Sequence, residues 1–241
     1  MFLYVFTFCI LLVEIKYNIM KKVVITMICI VFSTIGIYAQ IKEGSVTYKM
    51  EFQSDHEEQQ MAITMMENST MGIYFKGNYT RADVSMGTMM KIITVTNSKD
   101  ENVLLVMDVS MMGMKYAVKS NLKEFEKYND EKESEVTVQL VAGSKDILGY
   151  SCKKALVTDE KDNETIYWYT EGIKISKRGQ SYLNEDIPGF PLEYEMFQDG
   201  MKIKMMATKF VEEIVDEEGI FNMEIPEGFE EKTLEEFMSG K

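Results

Sequence analysis

The side chains of this chain that could do chemistry are one histidine, three cysteines, a surplus of carboxylates and an unusual number of methionines. The histidine, His56, sits in Ser54-Asp55-His56-Glu57-Glu58, which reads as a solvated acidic turn. Ser/His/Asp and Cys/His mechanisms need an imidazole beside the nucleophile and a third group to orient it, and a lone loop histidine offers neither. A zinc site shared between Cys and His is equally unsupported. Gly72 and Gly77 have the spacing of a phosphate-cradling loop, but Asn78-Tyr79 stands where Lys and Ser/Thr are required. Glu193 and Glu195 share a strand face as a glycosidase pair would, yet among 39 acidic residues such pairs arise freely. Asp159, Lys161 and Asn163 begin like a calcium loop, and Glu164 then replaces its obligatory glycine. The Asn-x-Thr sequons at Asn68, Asn78 and Asn163 are too short to carry an assignment. The residue types therefore point to a protein that is not an enzyme and that uses no cofactor.

Methionine is the compositional anomaly: 21 in the chain, 18 of them after residue 39. They cluster at Met61, Met65, Met66 and Met71; at Met86, Met89 and Met90; at Met107, Met111, Met112 and Met114; and at Met201, Met205 and Met206. Thioethers are soft ligands, so Met111, Met112 and Met114, or Met86, Met89 and Met90, are copper candidates. Methionine is also an adaptable filler, suited either to a packed core or to an apolar cavity that accepts ligands of variable shape. The sequence leaves all three open.

The elements that must position these residues are strands. From Gly44 the period is two, with Val46, Tyr48, Met50 and Phe52 on one face and Thr47, Lys49 and Glu51 on the other. Similar runs cover 61–66, 72–76, 80–85, 91–96, 103–109, 115–119, 135–141, 152–158, 165–170, 192–197 and 201–210. Asp199-Gly200, between Leu192/Tyr194/Met196 and Met201/Ile203/Met205, is the strongest hairpin signal. Helical pattern is confined to 121–128 and the tail 233–238, where Thr233 can cap. The architecture expected is mainly β, a curved antiparallel meander of about twelve strands with one or two short helices.

Residues 20–39 have the anatomy of a signal peptide: Lys21 and Lys22, the apolar run Val23 to Ile37, and Ala39 before a cut at Gln40. That run is shorter than the roughly 20 residues that span a bilayer, so no stable membrane span is expected after processing. Residues 1–19 are read as an upstream extension from a start codon placed too early, and 40–241 as a single β-rich domain. Export to the periplasm or the extracellular space follows. Without residues 1–39 the balance is 23 Lys+Arg against 38 Asp+Glu, net −15. Such a surface repels phosphate, so nucleic acid is not an expected partner. Cys152 is then the one remaining cysteine, placed in a strand-like run where an exported protein can bury its thiol.

Two segments carry a family resemblance. Leu148-Gly149-Tyr150-Ser151-Cys152-Lys153-Lys154-Ala155 followed by Tyr167-Trp168-Tyr169-Thr170, and Ile187-Pro188-Gly189-Phe190-Pro191-Leu192-Glu193, resemble the exported bacterial family called domain of unknown function 4412. Glu43-Gly44-Ser45-Val46-Thr47-Tyr48 and Ile225-Pro226-Glu227-Gly228-Phe229 fit its layout. Gly149 and Gly189 can supply turn conformations, and Pro188 and Pro191 stiffen the approach to the next strand. The family is similar to the lipoprotein-carrier group, which implies a single curved antiparallel sheet forming an open half-barrel. By that resemblance Tyr48, Met50, Trp168, Tyr194 and Met205 would line the concave side, and a lipid or a lipidated protein would be the partner. The expected function is an exported binding protein holding a hydrophobic ligand in the concavity. The alternative is a structural or protein-interaction module of the cell envelope with a filled core, and an empty hollow or a packed one separates the two.

Overall fold

The computed structural model describes residues 40–130, 136–180, 183–198 and 200–239. Residues 1–39, on which the leader and the upstream extension rest, lie outside the described residues, as do Glu135 and Asp199. The strands are β1 (Glu43–Gln53), β2 (Thr70–Lys76), β3 (Tyr79–Met86), β4 (Met90–Asn97), β5 (Asn102–Val109), β6 (Met114–Asn121), β7 (Val136–Ile147), β8 (Tyr150–Asp159), β9 (Glu164–Thr170), β10 (Phe190–Gln198), β11 (Met201–Val211) and β12 (Glu230–Lys232). They form one curved sheet in the order β12-β6-β5-β4-β3-β2-β1-β11-β10-β9-β8-β7, which does not close into a barrel. Neighbours in sequence within β1–β6 and within β7–β11 pair antiparallel, β1 joins the two halves by pairing antiparallel with β11, and β12 returns parallel to β6. The chain is thus mainly β, as its period-two pattern requires, and its sheet is open.

Among the described residues four short α-helices accompany the sheet: α1 (Gln60–Met65), α2 (Leu122–Asp130), α3 (Glu217–Ile220) and α4 (Leu234–Ser239). The expected strand at 61–66 is helix α1 instead. Its Met and Ala residues are good helix formers, and β1 is already paired on both sides, by β2 and β11, so no free ladder remains beside it. Thr233 does cap α4: its Oγ1 accepts from the Glu236 N–H at 3.2 Å while a Glu236 carboxylate oxygen accepts from the Thr233 N–H at 2.9 Å, a capping box.

Alternation gives the sheet two chemically different faces. The inner face, carrying Val46, Tyr48, Ile73, Phe75, Tyr194 and Met205, is covered in the middle by Ile173, Leu183 and Ile187 from the β9–β10 connection. Over β5 and β6 it is covered by Leu122, Phe125, Leu234 and Phe237 of α2 and α4. Each large apolar side chain removed from water this way contributes about 1.5–3 kcal/mol relative to leaving it exposed. On the outer face the half formed by β4–β6 is covered by Ile214, Phe221, Ile225 and Phe229 of the C-terminal segment. The other half of the outer face carries cross-strand ion pairs, Lys202 Nζ to Glu195 Oε2 at 2.9 Å and Lys145 Nζ to Glu193 Oε2 at 2.5 Å among them.

Candidate functional site

The centre of the inner face is built by register. Met50 is opposite Met205 on β11, Met205 opposite Tyr194 on β10, and Tyr194 opposite Tyr167 on β9, so these side chains share a face. The β1–β11 register shifts between Thr47 and Tyr48. Tyr48 meets Tyr194 edge-on at 6.1 Å between centroids, and Tyr194 stacks on Tyr167 at 5.1 Å. Phe190 bridges Tyr48 and Phe75 at 6.5 and 6.2 Å. The Tyr48 hydroxyl donates to the Pro191 carbonyl oxygen at 2.6 Å, so the ring is fixed at its polar end as well.

These residues do not face an open hollow. Tyr48 is 0% exposed, Tyr194 1%, Met205 2% and Met50 8%. The β9–β10 connection lies on them and is held by three basic or amide side chains. Lys177 Nζ donates to the carbonyl oxygens of Asn184 at 3.0 Å, Glu185 at 3.1 Å and Ile187 at 2.6 Å, gathering the connection into a compact knot. Burial pushes the Lys177 ammonium below the ordinary lysine range, with Glu185 and Asp186 opposing. The buried Gln180 amide donates to Thr80 Oγ1 at 2.6 Å and Thr96 Oγ1 at 3.3 Å, reaching hydroxyls that alternation turns inward from β3 and β4. Arg178 forks onto Glu126 of α2, 3.2 Å from Nε and 3.0 Å from Nη2. At the other end, Ile41 and Lys174 exchange backbone hydrogen bonds with this connection and β1's lead-in, at 2.8 and 2.9 Å.

Trp168 departs from the other four residues expected on the concave side. It is opposite Glu193 rather than Tyr194, so it stands on the outer face, half-buried, with Lys145 Nζ 5.8 Å and Lys154 Nζ 5.9 Å from its ring centroid. The neighbouring Tyr167 and Tyr169 take the inner positions, because alternation cannot put three consecutive aromatics on one face. Gly189 also has a different reason to be glycine: a Cβ there would collide with the Thr170 carbonyl oxygen, where the connection passes close over β9. Gly149, at φ +84, does serve its turn conformationally.

Cys152 is 0% exposed, and burial pushes its thiol up to about 11. His56 lies in an exposed turn, its backbone N–H donating to Ser54 Oγ at 3.1 Å. Met111 and Met112 are 60% and 71% exposed in a 3-10 turn between β5 and β6, while Met114 is half-buried at the start of β6. Among the described residues no group of three or more His, Cys, Asp or Glu side chains could hold a metal ion. A hollow of about 590 Å³ lies at the start of β3, lined by Tyr79, Val215, Asp216, Glu217, Glu218 and Phe221, away from the Tyr48–Tyr194 centre.

The knot formed by Lys177 and Gln180 is the part that sequence reasoning missed. Its signal was present: Ile173, Ile175, Leu183 and Ile187 are apolar residues inside a stretch with no strand period, and apolar residues in a long connection must pack on something.

The fold and this centre define an open antiparallel sheet protein whose apolar inner face packs against its own β9–β10 connection. The family described as domain of unknown function (DUF4412) matches over residues 50–217, and the chain belongs to it. No curated protein matches the chain. Among solved structures it is similar to PNGF-II, at 14% identity and a TM-score of 0.45, covering 81% of this chain and 32% of that one, so it spans about a third of the length of PNGF-II. It is similar to an uncharacterized conserved protein from Thermus thermophilus, at 10% identity and a TM-score of 0.45, covering 80% and 91%. It is also similar to the Mycobacterium tuberculosis lipoprotein LppX, at 9% identity and a TM-score of 0.32, covering 70% and 87%. No helix among the described residues is long and apolar enough to cross a membrane.

Proposed function

We propose that this is a non-enzymatic exported protein of the cell envelope, with residues 40–241 as its working domain, that acts through its surface as a structural or interaction module. The observation that carries this reading is the filled centre: Tyr48 and Tyr194 are at most 1% exposed beneath the chain's own β9–β10 connection. A packed core with normal contacts leaves no volume for a ligand of several hundred daltons. The net charge of −13 supports a protein or solvent-facing role over nucleic-acid contact.

A second reading has an observation of its own. The connection rests on an aromatic and methionine floor, and much of its attachment is polar, through Lys177, Arg178 and Gln180. Displacing it would uncover Tyr48, Met50, Tyr194 and Met205 as an apolar trough for a lipid or a lipidated segment. Native mass spectrometry of the full chain produced in a bacterium, before and after organic extraction, separates the two. The filled-core reading expects a single apo mass that ignores added fatty acids and phospholipids. Stoichiometric adducts of a few hundred daltons that extraction removes would replace it with the trough.

A further inference from the structure

The two ends of the sheet are finished differently. At one end stands β12, three residues long, and all three, Glu230, Glu231 and Lys232, are charged. At the other stands β7, twelve residues long, and among the described residues β8 is its only partner strand. A free edge carries a row of unpaired backbone N–H and C=O groups that a further strand can take up. Shortness and charge blunt such an edge, and β12 has both. The stretch 136–144 of β7 has neither, for it contains no charged side chain and no proline.

The first half of β7 is also its regular part. The register with β8 runs unbroken from Val136 to Val141 and shifts before Ser144. Val138 opposes Val157, and Leu140 opposes Ala155, which in turn opposes Tyr167 of the inner face. Val136, Val138 and Leu140 therefore make one apolar row on that face, and Thr137 and Gln139 make a polar row on the other. Val136 is 37% and Leu140 57% exposed, so the apolar row is still open to water at both ends.

This edge is complementary to itself. Antiparallel pairing about a twofold axis normal to the sheet keeps each face continuous, so an apolar row meets its own copy. With Val138 on the axis, Val138 meets Val138 of the second copy, Val136 meets Leu140, and Thr137 meets Gln139. This register matches all three apolar residues with one another and ends before the break after Val141. It sets no charge against a like charge along the paired stretch, which matters for a chain of net charge −13. Pairing uses up β7 on both copies and leaves the blunted β12 edges outside, so assembly closes at two copies instead of growing into a fibre.

We propose that two copies of this chain associate by antiparallel pairing of β7 with β7, centred on Val138, into a sheet continuous across the dimer. The inference goes beyond the role proposed above and holds whether the centre of the inner face is filled or can be uncovered.

The test uses the full chain produced in a bacterium. Interfaces below about 1,200 Å² are transient, and a single strand pair is of that kind, so sedimentation velocity runs from about 1 μM to about 1 mM. A reversible monomer–dimer equilibrium is expected in that range, with no larger species. Leu140→Glu, at an exposed position, is expected to raise the dimer dissociation constant about tenfold or more with an unchanged far-UV spectrum. Adding Val136→Lys sets a lysine opposite that glutamate across the axis and is expected to recover most of the loss. Cysteine substitutions read the register. Directly opposed Cα atoms are about 4.5–5.5 Å apart, within disulfide reach, so Val138→Cys is expected to give a disulfide-linked dimer under mild oxidation. Val136→Cys, about 13 Å from its own copy in this register, is expected to give none. Cys152 is 0% exposed and stays out of the reaction. A monomer throughout the range overturns the proposal, as does a dimer that ignores Leu140→Glu or crosslinking of Val136→Cys as readily as Val138→Cys.

Discussion

The centre of the inner face, built on β1 and β9–β11, and the methionine rim of the same face on β3–β6 belong to one sheet and one alternation, and yet they reach different states. At the centre, Tyr48, Tyr194 and Met205 are at most 2% exposed because the β9–β10 connection lies on them. At the rim, Met86, Met90, Met107 and Met114, which register puts on the same face of β3–β6, are only half-buried. Apolar residues on a face therefore mark what turns away from the charged side, not what is available to a ligand. Availability is decided by a connection that has no period of its own.

If the centre is a packed core, large-to-small changes there should cost the most. Tyr194→Ala or Tyr48→Ala is expected to lower unfolding free energy by about 3–5 kcal/mol in urea titration, the usual cost of deleting a buried ring. A cost near zero would show a ring with room around it. Cys152 reports on the same core through pH. Its thiol is held up to about 11 against an ordinary 9.0, so the folded chain keeps a proton that the unfolded chain loses. Stability is then complete below about pH 9 and falls as pH rises toward 11, by on the order of 2 kcal/mol. Cys152→Ala should remove that slope.

The knot should matter next. Gln180→Leu leaves the inward hydroxyls of Thr80 and Thr96 without their amide donor, and a cost of about 1–3 kcal/mol is expected in the same titration. The rim should be cheaper to alter. Each of Met90→Leu and Met107→Leu is expected to cost under about 1.5 kcal/mol, since volume is conserved. Smallest of all, Met111→Ser with Met112→Ser should leave the unfolding free energy within about 0.5 kcal/mol of wild type, because both side chains are already in water. A rim as costly as the centre would erase the distinction between them.

Much of the sheet is legible from residue order because period two is a local property. Val46-Thr47-Tyr48-Lys49-Met50 states which side chains face inward without reference to the rest of the chain. The same alternation applied across Tyr167-Trp168-Tyr169 would have placed Trp168 outside, and grouping it with Tyr194 went against it. Helix α1 was hidden because Met61, Ile63 and Met65 satisfy alternation as well as a short helix does, and only the prior pairing of β1 on both sides decides. β12 is a three-residue parallel strand whose partner lies more than a hundred residues away, beyond any local signal. The cover over the inner face was hidden for the same reason. Lys177 meets carbonyls within its own connection, but Gln180 meets Thr80 and Thr96 only once the sheet exists.

The central claim, that the inner face is permanently occupied by the chain itself, is tested most directly by native-state hydrogen exchange on the full chain under increasing urea. The amides of Lys174, Gln180 and Leu183, hydrogen-bonded at 2.9, 3.1 and 3.0 Å, report the connection, and those of β1 and β10 report the core beneath it. Exchange of both groups through one global opening, with the same free energy, is the result expected of a filled core. Exchange of the connection through a separate opening several kcal/mol below the global one, with β1 and β10 still protected, would contradict it and make the Tyr48–Tyr194 floor a site that the chain can uncover.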